Sequence, residues 1–304
     1  MRLGVLLLPE VGWQVAQDQW RMVEDLGFDA GWTIDHLFWR TLRDGPWFST
    51  FPWLCAAATA TDRLSLGVLV TSPTFRHPVL VAKDAIAIDD ISGGRFALGL
   101  GAGSAGAGDA DVIEPVLPAR QRADRFEEFV EVTDLLLREP LASYNGSYYT
   151  VKDARNFPGC VQSPRVPLCI AAAGPRGMRL AARHGDAWVC CGPVDLAAGG
   201  TPELFLTAVQ EQSRQLSREC TAIGRDPAAL RRILVLTEMA DPLPRSVDLF
   251  VERATEYARA GITDLVVPIP RPSGVHQGDP GLLAELASTA LPLLRELSSS
   301  RETT

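Results

Sequence analysis

The sequence predicts an α/β fold, a (β/α)₈ TIM barrel with insertion segments at the C-terminal face of its strands. Its 304 residues suit one barrel of roughly 250 residues with insertions. Eight short apolar runs alternate with eight amphipathic runs along the chain. The apolar runs are bounded by turn residues, as expected of parallel strands that are buried on both faces.

The strand–helix units follow one another in chain order. The predicted strands, all short apolar runs, lie at 3–8, 30–34, 64–70, 96–100, 168–171, 187–190, 233–238 and 264–267. The predicted helices, all amphipathic, lie at 14–26, 51–59, 78–91, 119–138, 176–183, 203–223, 246–259 and 282–297. Gly27 and Gly261 each follow a predicted helix at the C′ position, which favours glycine. Residues 92–95 form a tight turn from a helix into a strand.

Longer segments interrupt this alternation at 35–50, 101–118, 139–167 and 268–280. Three of them follow predicted strands and are expected on the C-terminal face of the barrel, where active sites of this fold lie. The segment 139–167 holds no barrel element, and Asn145-Gly146 predicts a small hairpin within it. The chain is predicted to be a single domain over 1–304, with a frayed tail at 298–304.

Composition narrows the class of protein. The net charge is −8, with both signs interleaved, which argues against a nucleic-acid partner. Six cysteines without a C-x-x-C pair, together with four histidines, predict no metal site. No apolar run reaches the roughly 20 residues of a membrane span. The short run at 3–8 is interpreted as a buried strand and not a signal peptide, so a cytoplasmic location is expected.

Asp35 and His36 end the second predicted strand. A histidine at that end of a barrel strand points into the mouth of the barrel, where its titration near neutral pH suits general acid or base catalysis. The alternative is a histidine whose ring is satisfied by local hydrogen bonds. Asp35 either orients His36 or caps the loop.

Two glycine-containing segments are candidates for binding a ligand through the backbone. The series from Gly99 to Gly103 lacks the G-x-G-x-x-G spacing of a dinucleotide site, but its glycines allow close approach of a ligand to a strand end. Ala173, Gly174 and Pro175 lead into a predicted helix whose free N–H groups could hold a phosphate, with Arg176 adding charge; the alternative is a plain turn.

Aromatic residues cluster in the loop after the second strand. Trp39 and Trp47, with nearby Phe48 and Phe51, are expected to line a pocket for a cofactor ring or an apolar substrate. Cys190 and Cys191 end the sixth strand and are interpreted as two thiols, with Cys191 assigned to the substrate pocket.

Several motifs together resemble the luciferase-like monooxygenases. The motif-bearing stretches are Thr71-Ser72-Pro73-Thr74-Phe75-Arg76-His77-Pro78, the run from Asp89 to Gly103, Asp35-His36, and Ile170 to Pro175 followed by Gly185-Asp186-Ala187-Trp188. The resemblance runs from residue 2 to about residue 193, and more weakly to 297. Within the superfamily the chain looks most like the branch that uses the deazaflavin coenzyme F420.

The resemblance implies roles for individual residues. His36 would be the active-site acid or base. A non-proline cis peptide would lie at Leu69-Val70 and push a bulge against the cofactor ring. Ala102 and Gly103 would contact the cofactor, and its phosphate would lie at the segment made up of Ala173, Gly174, Pro175 and Arg176. A homodimer formed through helices two and three is also implied, with a small-molecule substrate.

The chain departs from the sugar-phosphate dehydrogenases of this branch. Ser104 replaces their Glu after the glycine series, and Ala107 replaces an Asn near the cofactor tail. A sugar-phosphate substrate is therefore in doubt, and a substrate of secondary metabolism is expected, with Ser104 in its pocket. Two alternatives remain open: an FMN-dependent monooxygenase that uses molecular oxygen, and a flavin-binding protein without turnover.

Overall fold

The computed structural model describes residues 1–104, 108–190, 192, 201–236 and 246–299. Its strands are β1 (Arg2–Leu6), β2 (Ala30–Thr33), β3 (Ser65–Thr71), β4 (Phe96–Leu100), β5 (Leu141–Asn145), β6 (Thr150–Arg155), β7 (Leu168–Ala171), β8 (Ala187–Cys190), β9 (Arg231–Val235) and β10 (Asp264–Pro268). Its α-helices are α1 (Trp13–Asp25), α2 (Thr50–Ala60), α3 (Pro78–Ser92), α4 (Ala119–Arg138), α5 (Pro175–His184), α6 (Pro202–Ala222), α7 (Val247–Arg259), α8 (Leu282–Glu285) and α9 (Leu291–Ser299).

The predicted fold class is confirmed. Eight strands form a closed barrel in the order β1-β10-β9-β8-β7-β4-β3-β2, and β5 and β6 form a separate two-stranded sheet. The eight barrel strands are buried almost without interruption, as in β4, where every residue is buried. This is the pattern expected when both faces of a parallel strand are covered.

The described chain divides into two compact units. The terminal unit comprises Met1–Leu7, Arg21–Trp32 and Ala172–Thr304, and the central unit comprises Leu8–Trp20 and Thr33–Ala171. The predicted single domain stays a prediction.

In the terminal unit, β1 is hydrogen-bonded to both β2 and β10 in parallel register. Strand β9 pairs with β10 and β8 in the same way. The large side chains of Trp188, Phe250 and Tyr257 are fully buried and fill the interior of this unit.

In the central unit, β4 pairs with both β3 and β7. The register between β3 and β4 shifts between Val68 and Thr71, and the peptide bond Leu69-Val70 inside this shift is cis, as the resemblance implied. The neighbouring strand is shaped to match. A Cβ on Gly99 would lie 2.0 Å from the Val68 carbonyl oxygen, and one on Gly101 would lie 2.4 Å from Val70 Cγ2. These two glycines therefore let β4 lie against the irregular strand.

The hairpin β5–β6 is held by one carboxylate of helix α4. The Glu128 carboxylate accepts hydrogen bonds from the backbone N–H groups of Ser147, Tyr148 and Tyr149 at 2.7 to 3.1 Å. The connection between the strands spans residues 146–149, so the turn is longer than a two-residue Asn-Gly hairpin.

The last predicted helix, 282–297, is interrupted. A π-helical segment, Leu286–Ala290, separates α8 from α9. Pro292, two residues after this segment, has no N–H to donate four residues back, which favours such a local rearrangement. Helix α9 extends to Ser299, and residues 300–304 lie outside the described residues.

No helix among the described residues is long and apolar enough to cross a membrane.

Candidate active site

Asp35 is held by an ion pair within the central unit. Its carboxylate accepts hydrogen bonds from Arg76 Nε and Nη2 at 2.9 and 2.7 Å and from the Thr71 hydroxyl at 2.6 Å. Asp35 is 2% exposed, and the Arg76 guanidinium also lies 5.0 Å from the ring centre of Phe51. Asp35 therefore ties the end of β2 to the segment after β3.

Asp109, in the loop after β4, is the carboxylate that contacts the His36 ring. His36 Nδ1 lies 3.0 Å from Asp109 Oδ2, and the same oxygen accepts a hydrogen bond from the backbone N–H of Leu37 at 2.9 Å. The expectation that Asp35 orients His36 is thus corrected, because both oxygens of Asp35 are bonded to Thr71 and Arg76.

Asp109 is fully buried yet held as an anion. Burial alone would raise its pKa, but the hydrogen bond and charge of His36 and the N–H of Leu37 bring the pKa below its ordinary value. A carboxylate only accepts hydrogen bonds, so His36 Nδ1 carries the proton of this bond. In the neutral ring Nε2 then has the lone pair, which is the arrangement a general base requires.

The His36 side chain is partly exposed and held from several sides. The side chain is 20% exposed, and the Phe75 ring packs edge-on with centroids 5.8 Å apart. The indole N–H of Trp47 donates to the His36 carbonyl at 2.8 Å. Backbone and ring are thus both fixed, while Nε2 makes no hydrogen bond within the described chain.

Trp39 and Trp47 differ in exposure. Trp39 is 9% exposed, with the Arg40 guanidinium 4.9 Å from its ring centre, whereas Trp47 is half-buried. The hydrogen bond to His36 brings Trp47 to the active centre; a substrate contact by either tryptophan stays a prediction.

The end of the glycine series is a candidate cradle for a cofactor. Gly103 has φ +78°, and a Cβ there would lie 2.3 Å from Thr74 Oγ1 and 3.4 Å from Ser72 Oγ. The Ser72 hydroxyl is buried without a hydrogen-bond partner among the described residues. Gly103 is thus required by its contact with Thr74, and the unsatisfied Ser72 hydroxyl fits a polar ligand held near Ala102 and Gly103.

The candidate phosphate segment belongs to the terminal unit. Gly174 is the N-cap of α5 and Pro175 follows it, with no side chain capping the helix. The positive end of the dipole of this ten-residue helix lies at this segment. An anion is favoured at such an N-terminus, so these residues fit the phosphate role that the resemblance implies.

A small, partly open cavity lies in the central unit. Thr74, Ala102, Gly103 and Ser104 line it together with Glu114, Arg122 and Arg125. His36 is not part of its lining, although Ala110, the neighbour of Asp109, is. This cavity therefore adjoins the glycine series and not the imidazole itself.

Ser104, Cys191 and Ala107 are the other residues that the sequence singled out. Ser104 is exposed at the rim of the glycine series, and Cys191 and Ala107 lie outside the described residues. The described ranges contain no group of three or more side chains placed to hold a metal ion; the predicted lack of a metal site stays a prediction.

Sequence reasoning missed Asp109. It is one of two aspartates in a Gly/Ala-rich segment, Asp109 and Asp111, and nothing in the local pattern distinguishes them. The only available signal was their place in the loop after a barrel strand, where an acid can reach a histidine from another strand end.

Comparison with known proteins identifies the family of this chain. Residues 1–235 match the luciferase-like monooxygenase family. The chain belongs to this family, and it is an enzyme.

Two dehydrogenases and one reductase illustrate the similarity. The F420-dependent glucose-6-phosphate dehydrogenase of Beutenbergia cavernae is 30% identical over 322 positions, covering 90% of this chain and 91% of that protein. The F420-dependent hydroxymycolic acid dehydrogenase of Mycobacterium tuberculosis is 31% identical over 169 positions, covering 55% of this chain and 46% of that protein. The coenzyme F420-dependent tetrahydromethanopterin reductase of Methanopyrus kandleri superposes with a TM-score of 0.77 over 96% of this chain and 99% of that chain, at 18% identity, which shows a shared fold.

Proposed function

We propose that this chain is an oxidoreductase that transfers a hydride between coenzyme F420 and a small organic substrate, with His36 as the acid or base. The observation that carries the proposal is the pair formed by His36 and Asp109 at the end of β2, 3.0 Å apart. The F420-dependent relatives support the choice of cofactor.

The residues of this chain supply the proton chemistry and the orientation. When bound, the deazaflavin supplies the hydride donor or acceptor. His36 Nε2 takes the proton of a substrate hydroxyl in the oxidation direction and returns it in the reduction direction. Asp109 keeps Nδ1 protonated and stabilises the positive ring after proton uptake.

Cofactor binding is assigned to two segments. Leu69 and Val70 of β3 and Ala102 and Gly103 after β4 would contact the deazaflavin ring, and Ser72 offers its unsatisfied hydroxyl. The segment Ala173, Gly174, Pro175 and Arg176 would bind the phosphate through backbone N–H groups.

The substrate is proposed to carry a hydroxyl or carbonyl group. The two dehydrogenase relatives are named for hydroxylated compounds. Ser104 stands where sugar-phosphate relatives carry Glu, which favours another substrate, of secondary metabolism. Trp39, Trp47 and Cys191 are proposed to contribute to its pocket, in a cytoplasmic enzyme.

Cofactor titration tests the proposal. We expect purified protein to quench the fluorescence of F420 on binding and to bind FMN more weakly. Anaerobic mixing of the F420 complex with candidate alcohols and ketones should then change the deazaflavin absorption. Preference for FMN with consumption of oxygen would favour the alternative monooxygenase, and binding of neither cofactor would overturn both.

A homodimer through α2 and α3 is also proposed. Leu80, Ala87 and Ile91 are exposed and lie seven and four residues apart on α3, which places them on one face. Leu80 is 62% exposed and Ile91 44%, and an apolar stripe of this kind suits a subunit contact.

Charge on this stripe should disrupt the dimer. We expect L80E to sediment as a monomer at concentrations where the unaltered protein is dimeric, because a buried unpaired carboxylate is costly. The matched control is L204E, at an exposed leucine of α6 (52% exposed), which should stay dimeric. A dimer that persists in L80E would contradict this interface.

A further inference from the structure

The side chains that line the cavity beside helix α4 carry a net positive charge, which has no role in the proposed chemistry. We call it the α4 cavity and define it by Thr74, Gly103, Ser104, Glu114, Arg122 and Arg125. All six belong to the central unit. Its polar side chains come from the segment after β3, the loop after β4 and the first turns of α4.

The two arginines of this cavity have different partners. Arg125 forms an ion pair with Glu114 and donates from Nε to the Tyr149 hydroxyl at 3.1 Å. Burial alone would lower the pKa of Arg125, but the bonds to Glu114 and Tyr149 raise it overall. Its positive charge is thus matched by one carboxylate.

Arg122, in contrast, has no carboxylate partner of this kind among the described residues. Its Nη1 donates to the Leu117 carbonyl at 3.0 Å, and no carboxylate lies within ion-pair distance of it in the described ranges. The cavity lining therefore holds two guanidinium groups and one carboxylate, a net charge of +1 in a chain whose net charge is −8. A half-buried guanidinium that lines a cavity without a counter-charge favours an anion.

The rest of the lining suits a small anionic group. Gly103, with φ +78°, brings its backbone close to the Thr74 hydroxyl, and Ser104 adds a second hydroxyl to the wall. Hydroxyls and a guanidinium fork are the groups that satisfy carboxylate and phosphate oxygens. Ser104 is also uncharged, whereas a carboxylate at this position would bring the net charge of the cavity lining to zero.

We propose that the α4 cavity binds a carboxylate or phosphate group, with Arg122 as the counter-charge. The anion is either a glutamate carboxylate of the F420 side chain, whose phosphate is assigned to the segment 173–176, or the acidic group of a substrate. The inference rests on the proposed function only for the first source.

Binding measurements with and without the anionic tail distinguish these sources. The probes are F420, its tail-less deazaflavin nucleoside, and inorganic phosphate, measured by fluorescence and calorimetry at low ionic strength. We expect R122Q to lower affinity for an anionic probe about tenfold, the worth of one charge-assisted hydrogen bond. S104E should do the same by neutralisation, whereas S104Q, of equal size, should not.

The matched control is R120Q, which removes an exposed arginine of α4 outside the cavity lining. R122K should keep most of the affinity and shows that a loss in R122Q is not misfolding, as does an unchanged Tm.

Each outcome decides the proposal. Weaker binding of F420 with unchanged binding of the nucleoside assigns the anion to the cofactor. Unchanged binding of both with loss of phosphate binding assigns it to a substrate. Equal losses for F420 and the nucleoside, or no change with any probe, overturn the inference. Failure of the nucleoside to bind the unaltered protein would instead reject the proposed function, while the phosphate arm still tests the cavity.

Discussion

Replacing His36 with Ala should lower kcat about 10²- to 10⁴-fold, the usual worth of a positioned acid or base. The expected cause is loss of Nε2, the ring nitrogen that Asp109 leaves available for the substrate proton. Affinity for F420 should change little, because the cofactor contacts are assigned to β3 and to the glycine series. The measurement is turnover together with fluorescence titration of F420.

One further variant and a rescue experiment test the same role of His36. W47F removes the N–H that donates to the His36 carbonyl at 2.8 Å but leaves the imidazole, so its effect should be smaller than that of H36A. Added imidazole should restore part of the activity of H36A if proton transfer is the lost function. Turnover of H36A within tenfold of the unaltered enzyme would contradict the catalytic role of His36.

The barrel could be predicted because its signal is local. Each strand is a short apolar run of residues buried on both faces, and each helix has its own amphipathic period. The predicted and observed bounds of the fourth strand, 96–100, coincide. The exceptions also have local causes, such as the π-helical segment before Pro292, where a missing N–H competes with a strong helical pattern.

The active centre could be predicted only in part because its contacts are between distant segments. His36 could be predicted from the sequence because it lies at a strand end, where active-site residues of this fold are found. Adjacent Asp35 was expected either to orient His36 or to cap the loop, yet consecutive side chains of an extended segment point in opposite directions. Asp35 accordingly binds Arg76, 41 residues away, and His36 binds Asp109, 73 residues away.

The glycine series shows a second limit of predicting a binding site from sequence. Its approach to a ligand was predicted at 99–103, but Gly99 and Gly101 are required by contacts with Val68 and Val70. Gly103 is likewise required by a contact, with the Thr74 hydroxyl, and the ligand interpretation rests on the unsatisfied Ser72 hydroxyl beside it. A glycine in a sequence does not reveal whether protein or ligand fills the space of its missing Cβ.

Replacing Asp109 with Asn should lower kcat about 10²-fold or more with a smaller effect on KM. The amide preserves size but can donate to Nδ1, which favours the ring tautomer that carries its proton on Nε2. That tautomer cannot accept the substrate proton. The corresponding change in the Ser-His-Asp triad lowers kcat about 10⁴-fold by the same cause.

NMR of the imidazole nitrogens separates this role from a structural one. Asp109 is ionised at neutral pH because its pKa lies below the ordinary value, and as a carboxylate it only accepts the hydrogen bond from His36 Nδ1. D109N should move the ring proton of His36 from Nδ1 to Nε2. The control is D111N, at the exposed aspartate of the same segment, which should keep the ring proton on Nδ1. A reduced kcat with the ring proton still on Nδ1 would mean that Asp109 only holds the loop in place through Leu37, and not the proton on His36.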